Sequence, residues 1–436
     1  MATKKKQKKT SKVKTVFISI LALIIGVLIG FVLASFFQTT RLEFEVVGEN
    51  VTSISLDEEY TETGVTCTFD GVDKSSNVSV SYYDSLGNKV NNIDTSAVGS
   101  YLVKYTYEEN GIKVSITKVV KIVSMDDLEI HFMMLGNEYT GDSIYIKAGD
   151  TDILVDAGSR LNSALTTVSY MNQYVTDGKL EYVFATHADQ DHIAAFPGEG
   201  GIFNSFEIDT IIDFPLTNKT TKVYQNYKAG VEELVANGTT HYTALECYNN
   251  ENGASRIIEV ANGIEIEILY NYYYEHESDD ENEYSVCFML RRGEEQYLFT
   301  GDLEKDGEAK LVEFYDLGEV YLYKAGHHGS KTSSSMDLLN EIKPNTVVVT
   351  CVAFSTEYTS NMDNVFPTKQ AIDNFNAAGV EHLYVTSMVG ETEKESKPAN
   401  GNIVVYANSN GTYIECSETN DDFFTFDIFK EYRTWN

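Results

Sequence analysis

The sequence predicts a layered α/β domain behind a small β-sandwich and one membrane-spanning segment. Three observations carry that prediction. Residues 16–37 form an uncharged, almost wholly apolar run behind seven lysines. Residues 42–124 alternate short strand patterns with turn signals, and from about residue 127 strand-like runs alternate with amphipathic helix patterns. At 436 residues, 42% of them hydrophobic, the chain can fill two cores and still carry an anchor. Proline is scarce, and neither low-complexity tracts nor an internal repeat is present, which excludes disordered scaffolds and solenoids.

Residues 1–15 form a basic tail containing Lys4, Lys5, Lys6, Lys8, Lys9, Lys12 and Lys14. The run from Val16 to Phe37 matches the ~20 residues that cross a bilayer as a helix. By the positive-inside rule the lysines stay in the cytoplasm and everything after Arg41 faces outward, as expected of a single-pass protein of the cell membrane. A cleaved export signal is the alternative, but the run is long for one and Ala34-Ser35-Phe36 is a poor cleavage site. Either reading exports the rest. Without the seven tail lysines the net charge goes from -33 to -40. An acidic surface lacks the cations that neutralise phosphates, so long DNA is a disfavoured partner. The five cysteines are scattered, odd in number and without C-x-x-C spacing, which argues against a disulfide framework. Cys287 and Cys351 lie in apolar runs and read as small core residues.

In residues 42–124, alternating segments such as Val78-Ser-Val-Ser-Tyr-Tyr83 are divided by turns at Leu86-Gly87-Asn88 and Glu109-Asn110-Gly111. Short strands at regular spacing predict a sandwich. The stretch Asp94-Thr-Ser-Ala-Val-Gly-Ser-Tyr-Leu-Val-Lys-Tyr-Thr-Tyr107 resembles the closing strands of bacterial Ig-like repeats found on exported proteins. The unit holds no catalytic constellation, so it is expected to act as a spacer or to hold a cell-wall or surface partner.

Residues 127–420 are expected to form the second domain, with 421–436 as a C-terminal extension. Its strand candidates include Ser143–Lys147, Ile153–Asp156, Tyr182–Thr186, Gln296–Thr300, Val320–Lys324 and Thr346–Thr350. Helix candidates lie at Ser159–Tyr174, Tyr224–Ala236, Met336–Lys343 and Thr368–Ala378. Such alternation implies layered α/β architecture.

Three strands run into residues able to bind metal. His187-Ala-Asp189-Gln-Asp191-His192 follows the first, Gly301-Asp302 the second, and Ala325-Gly326-His327-His328-Gly329-Ser330 the third. Strand ends gather along one edge of a layered sheet, so these distant segments can share one site. In an extended exit His187 and Asp189 point the same way, while Asp191 and His192 turn toward a neighbouring position. One loop can thus feed two divalent ions. Mixed imidazole and carboxylate donors make zinc the default, with manganese or iron as harder alternatives. Half of the eight histidines sit in two of these loops; His131, His241, His276 and His382 stand alone and read as surface or core residues. Ser330, Lys331 and Thr332 precede a helix pattern and offer a phosphate cradle. The equal alternative is that Ser333 or Ser334 only caps the helix. The acidic stretch Tyr270–Tyr284 reads as a solvated loop near the site.

From about Leu128 to Cys416 the sequence resembles the metallo-β-lactamase-fold domain of the ComEC-type DNA-uptake proteins. The resemblance rests on His187-x-Asp189-x-Asp191-His192, on Ser285-Val-Cys-Phe-Met-Leu leading into Tyr297-Leu-Phe-Thr-Gly-Asp302, and on Lys324-Ala-Gly-His-His-Gly-Ser-Lys-Thr-Ser333. Gly141-Asp142-Ser143, Ile153-Leu-Val-Asp156-Ala-Gly158 and Gly401-Asn-Ile-Val-Val are weaker matches. It implies a four-layered αβ/βα metallo-β-lactamase sandwich with its metals at the edge between two sheets. By the same resemblance His187 and Asp189 hold one ion, Asp191 and His192 the other, Asp302 bridges, and one of His327 and His328 completes the second position. Two departures stand out. No histidine takes the place between the first motif and Asp302, where Asp213 is a weak candidate, and Asn364-Val-Phe366-Pro367 lacks the family's histidine before proline. The family's many membrane helices are absent, so the chain cannot itself be a pore.

The implied reaction is hydrolysis by a metal-bound hydroxide, with Asp191 orienting it and Asp302 as the second catalytic residue. Phosphodiesters are the first substrate class. Lactone, amide or phosphate-ester substrates are the second reading, and a non-catalytic surface binding protein is the third.

Overall fold

The computed structural model describes residues 42–427 apart from 49, 56–57, 86, 98, 110, 124–126, 393–394 and 409–410. The predicted membrane span lies outside the described residues. Among those described, no helix is long and apolar enough to cross a membrane. The chain divides into two compact units, at Ser124/Met125.

The first unit is built from two sheets. Leu42–Val46, Val65–Phe69 and Val72–Asp73 form one; Val51–Ser55, Ile112–Val123, Gly99–Glu109, Val78–Asp84 and Lys89–Val90 form the other, in that order. The alternation in Gly99–Glu109 sends Val103, Tyr105 and Tyr107 inward, where they meet Phe44 and Cys67 of the smaller sheet.

The second unit contains two eight-stranded sheets. The first runs Thr240–Thr243, Glu207–Asp213, Lys179–Phe184, Thr151–Val155, Ile144–Ala148, Leu128–Phe132, Ile403–Asn408, Gly411–Cys416. The second runs Ile257–Ala261, Ile264–Leu269, Cys287–Arg292, Glu295–Phe299, Leu322–Lys324, Thr346–Ala353, His382–Val389, Ser396–Pro398. Period-two alternation sorts the core. Phe288 and Leu290 face the first sheet, where Phe288 meets Phe184 at 5.1 Å between ring centroids. Cys287 and Met289 face the other way, into a second cluster with Leu311, Leu338 and Phe375 from the helices Lys305–Phe314, Met336–Ile342 and Lys369–Ala378. Met171 of helix Ser163–Met171 and Val231 of helix Lys222–Ala236 pack on the first sheet. Helices and sheets therefore stack as four layers, a mixed α/β sandwich of the metallo-β-lactamase kind.

Helix Lys222–Ala236 begins two residues before the expected Tyr224, behind Thr221 whose side chain accepts from Tyr224 N, whereas Ser163–Met171 begins later and ends earlier than the expected Ser159–Tyr174. Thr368 accepts from Ala371 N and starts the last helix, and Ser335, rather than Ser333 or Ser334, caps Met336–Ile342. The five cysteines are free, four of them buried. Phe423 is buried and Asp422 accepts from Leu383 N, so the start of the segment expected as an extension packs as part of the unit.

Candidate metal centre

Parallel pairing brings the strand ends to one edge. Thr151–Val155 lies parallel to Lys179–Phe184, and Glu295–Phe299, Leu322–Lys324 and Thr346–Ala353 are successively parallel. The loops at their carboxyl ends supply Asp156, His187, Asp302 and His328, while Thr350 lies within the last of these strands. Ile144 pairs antiparallel with Val155, which sets Asp142 beside Asp156.

Backbone contacts stitch the first motif onto this edge. Asp142 N donates to Asp191 O at 3.0 Å and Ala157 N to His192 O at 2.7 Å. At Gly158 a Cβ would stand 1.5 Å from Asp191 O, so any side chain there would push the loop away. His327 and His328 have φ of 47° and 53°, in the left-handed region. That turn sends the two rings apart and is a constraint typical of functional sites.

The donors meet around Asp302. His192 Nε2 and His328 Nε2 each lie 3.2 Å from Asp302 Oδ2, and His328 Nε2 is 3.5 Å from Asp191 Oδ2. Each ring is aimed through its other nitrogen, as metal-binding imidazoles are. His192 Nδ1 sits 2.7 Å from Asp156 Oδ2, and Asp156 is itself held by Thr186 N and Oγ1, both at 2.7 Å. His328 Nδ1 donates to Thr350 O at 2.8 Å, so in the neutral ring Nε2 carries the lone pair. Ligand atoms lie within 4.8 Å of one another in four overlapping groups: His187/His192/Asp302, Asp191/His192/His328, Asp142/Asp302/His328 and Asp142/Asp156/His192. His187 Nε2 and His328 Nε2 are buried without a hydrogen-bond partner. Orphaned imidazole nitrogens beside carboxylates fit a divalent ion.

Electrostatics follow from burial and sharing. Burial pushes Asp142 and Asp302 upward, but His328, His192 and the Lys324 ammonium outweigh it and hold both carboxyls well below the usual range. Burial opposes a proton on His192, yet Asp302 and Asp156 hold this ring well above its ordinary value. His187 goes the other way, lowered by burial and by His192. Lys324 is buried against Asp142 and lies 3.4 Å from Asp302 Oδ1.

The other anticipated residues lie around this core. Asp189 Oδ1 is paired with Lys219 Nζ at 2.5 Å, while its Oδ2 stands 3.7 Å from His187 Nε2. His327 is partly exposed and turns to Glu304 Oε1 at 3.0 Å and Thr332 Oγ1 at 3.3 Å, so only His328 joins the clustered donors. Thr332 donates to Glu304 and Ser330 shares a hydrogen bond with Thr332, while Lys331 extends to Asn364 Oδ1 at 2.8 Å. The N–H groups of Ser334 and Ser335 are taken by buried Glu308. Asp213 binds His241 Nε2 at 2.8 Å and Tyr227 OH at 3.1 Å and belongs to none of the clustered groups. His131 is a buried core histidine held by Glu129 and Tyr170. Phe366 lies 5.8 Å from the His328 ring.

Sequence reasoning gave no role to Asp142, Asp156, Lys324, Lys219, Tyr358 or Glu281. Asp156 and Lys324 each end an apolar strand and Asp142 precedes one, a usable signal. Tyr358, whose OH donates to Asp191 Oδ2 at 2.8 Å, carries none. Glu281 corrects the reading of Tyr270–Tyr284 as a solvated loop. It is buried and accepts from Ala188 N, Thr217 Oγ1 and Asn218 N, clamping the first motif.

The metallo-beta-lactamase superfamily model matches residues 136–199. ComE operon protein 3 of Bacillus subtilis is 28% identical over 180 residues, covering 39% of this chain and 20% of its own length. Recombination protein 2 of Haemophilus influenzae is 28% identical over 102 residues, covering 23% of this chain and 13% of its own length. The chain thus spans a fifth or less of these relatives. Among solved structures, the diiron β-hydroxylase CmlA of Streptomyces venezuelae aligns with a TM-score of 0.33 at 13% identity, covering 59% of this chain and 52% of that one, a likeness too slight to speak to activity. In matched segment and relatives alike, the second unit is similar to the metallo-β-lactamase-fold domain of ComEC-type proteins, and its clustered donors could hold a divalent metal ion.

Proposed function

We propose that the protein is a membrane-anchored, extracellular hydrolase that cuts short phosphodiesters. The observation that carries the reading is the convergence of His192 Nε2 and His328 Nε2 on Asp302 Oδ2, each at 3.2 Å. A divalent ion held there, zinc by default and manganese or iron as alternatives, supplies Lewis acidity and an acidified water. The chain's own residues do the rest. Asp191, fixed by Tyr358 and near His328, is the carboxylate that orients an attacking water. Phe366 packs beside His327 and His328 and narrows the approach of solvent. Lys331 is an exposed cation for a phosphate oxygen. Support for phosphodiesters comes from that lysine and from a relative named for recombination, a nucleic-acid process. The net charge of -33 weighs toward short substrates. The charge-free run 16–37 supports anchoring with the N-terminus cytoplasmic, and the Ig-like strand pattern supports a spacer or a cell-wall or surface partner for the first unit.

One observation favours a second reading, hydrolysis of lactones, amides or phosphate esters. The hydroxyl of Thr332 and the N–H groups of Ser334 and Ser335 are engaged by Glu304 and Glu308, so the phosphate cradle is smaller than the sequence implies. Assaying the full chain in detergent on single-stranded DNA oligonucleotides, bis-(p-nitrophenyl) phosphate and a lactone panel separates the two. Diester cleavage that Asp302→Ala abolishes is the expected result. Lactone turnover alone would favour the second reading, and a metal-free, inactive protein would leave a surface binding protein.

A further inference from the structure

We propose that Lys219 stands in for one of the two ions: the chain holds a single divalent ion tightly at Asp191, His192, His328 and Asp302, and the Lys219 ammonium blocks the position beside His187 and Asp189. The proposal rests on the metallohydrolase reading above and specifies how its centre is filled.

The two sides of the centre are built differently. Around Asp302 Oδ2, nitrogens of His192 and His328 lie at 3.2 Å and the Asp191 carboxylate adjoins His328. On the other side His187, which shares His192 and Asp302 as its compact donor group, has Asp189 as its further carboxylate at 3.7 Å, and that carboxylate is already held by Lys219 at 2.5 Å. Among the described residues Asp189 belongs to none of the four compact donor groups. Asp213, the other carboxylate on this side of the sequence, is occupied by His241 and Tyr227.

The Asp189–Lys219 pair is built in. Both side chains are only 28% exposed. Lys219 follows strand Glu207–Asp213 in a loop whose Thr217 Oγ1 and Asn218 N donate to the buried carboxylate of Glu281 at 2.7 and 2.9 Å. The same carboxylate accepts from Ala188 N at 3.0 Å, one residue before Asp189. Glu281 therefore ties the lysine's loop and the aspartate's loop to one point. An ion on Asp189 would sit about 2.0–2.2 Å from its oxygen and so within a few ångströms of the ammonium, where like charges repel strongly.

The test is metal stoichiometry. The full chain, purified in detergent, is stripped with a chelator, titrated with manganese, desalted and measured by mass spectrometry and electron paramagnetic resonance. Wild type is expected to retain one ion per chain and to show no coupled pair. Lys219→Gln and Lys219→His should bind a second ion at least tenfold more tightly than wild type does and show the coupled-pair spectrum. Lys219→Arg, which keeps the charge, and Lys331→Gln should stay at one. Two tight ions in wild type would overturn the proposal while leaving the metallohydrolase reading intact, as would a Lys219→Gln or Lys219→His protein that folds and stays at one. No bound ion in any form would overturn both, so the two failures are distinct.

Discussion

The charged residues of the centre fall into an inner and an outer set that obey different rules. Asp142, Asp156, His192, Asp302, Lys324 and His328 are each 2% exposed or less and have several partners from different strands. Asp189, His327, Lys331 and Tyr358 sit on loops, partly exposed, with one or two partners each. A charge taken out of water must be matched on nearly every side, whereas an exposed one shares the work with solvent. The inner set is therefore fixed by the cost of burying it. The outer set is free to differ, and it is where substrate choice and ion count are decided.

The largest effect is expected at the inner set's shared atom. Asp302→Ala should abolish cleavage and weaken metal affinity by more than the ~10–100-fold that losing a ligand's hydrogen-bonding neighbour costs. Metal titration and turnover of the purified chain measure this. If Asp302→Ala keeps wild-type affinity, the convergence on Asp302 Oδ2 is not the ion site.

Next comes Asp142, which touches Lys324 and His328 and accepts from Thr350. Asp142→Ala leaves the buried Lys324 ammonium short of its main partner, and breaking one side of a buried pair costs about 3–5 kcal/mol. Urea unfolding of the metal-free protein should show that loss. A paired Asp142→Leu and Lys324→Met protein should recover much of it, since replacing both charges removes the unmatched one. Equal stability of Asp142→Ala and Lys331→Ala would break the distinction between inner and outer sets.

This division also explains what the sequence made legible. The layers, most strand positions and five of the clustered donors, His187, Asp191, His192, Asp302 and His328, announce themselves because each lies in a loop that follows an apolar run and, for three of them, directly beside another metal-binding residue. The choice between His327 and His328 stayed open because it depends on two consecutive left-handed residues, a backbone state that adjacent identical side chains do not encode. Asp142 and Asp156 appear as single acids in short segments, and only the antiparallel register of Ile144 with Val155 shows that they face one another. Glu281 was hidden for the opposite reason. It is one acid among many, and its burial comes from three hydrogen bonds to distant segments.

Glu283 tests the matching rule from the other direction, because it is buried without a cation. Burial, then Glu304 and Asp306, pushes its carboxyl up to about 8 from an ordinary value of 4.5. Between those values the folded chain keeps a proton that the unfolded chain has released. Stability from this group should therefore be greatest below about pH 4.5, fall as pH rises toward 8 and level off above it. Glu283→Gln, which keeps the oxygen that accepts from Gly307 N, should flatten that part of the curve and raise the melting temperature at pH 8 by a few degrees. An unchanged slope between pH 5 and 8 would show that water reaches this carboxyl and that the inner rule stops short of it.

The smallest effect belongs to the outer set. Lys331 is exposed and its ammonium reaches Asn364 Oδ1, so removing it leaves no buried group unmatched. An exposed cation meeting a phosphate is worth up to about 1 kcal/mol, roughly fivefold in binding, and salt screens it. Lys331→Ala should therefore raise KM for a phosphodiester up to about fivefold at low ionic strength, leave kcat and melting temperature unchanged, and converge with wild type at high salt. A fall in kcat instead would move Lys331 from the rim into the reacting geometry, because an interaction that acts only on KM is made equally in the ground and transition states.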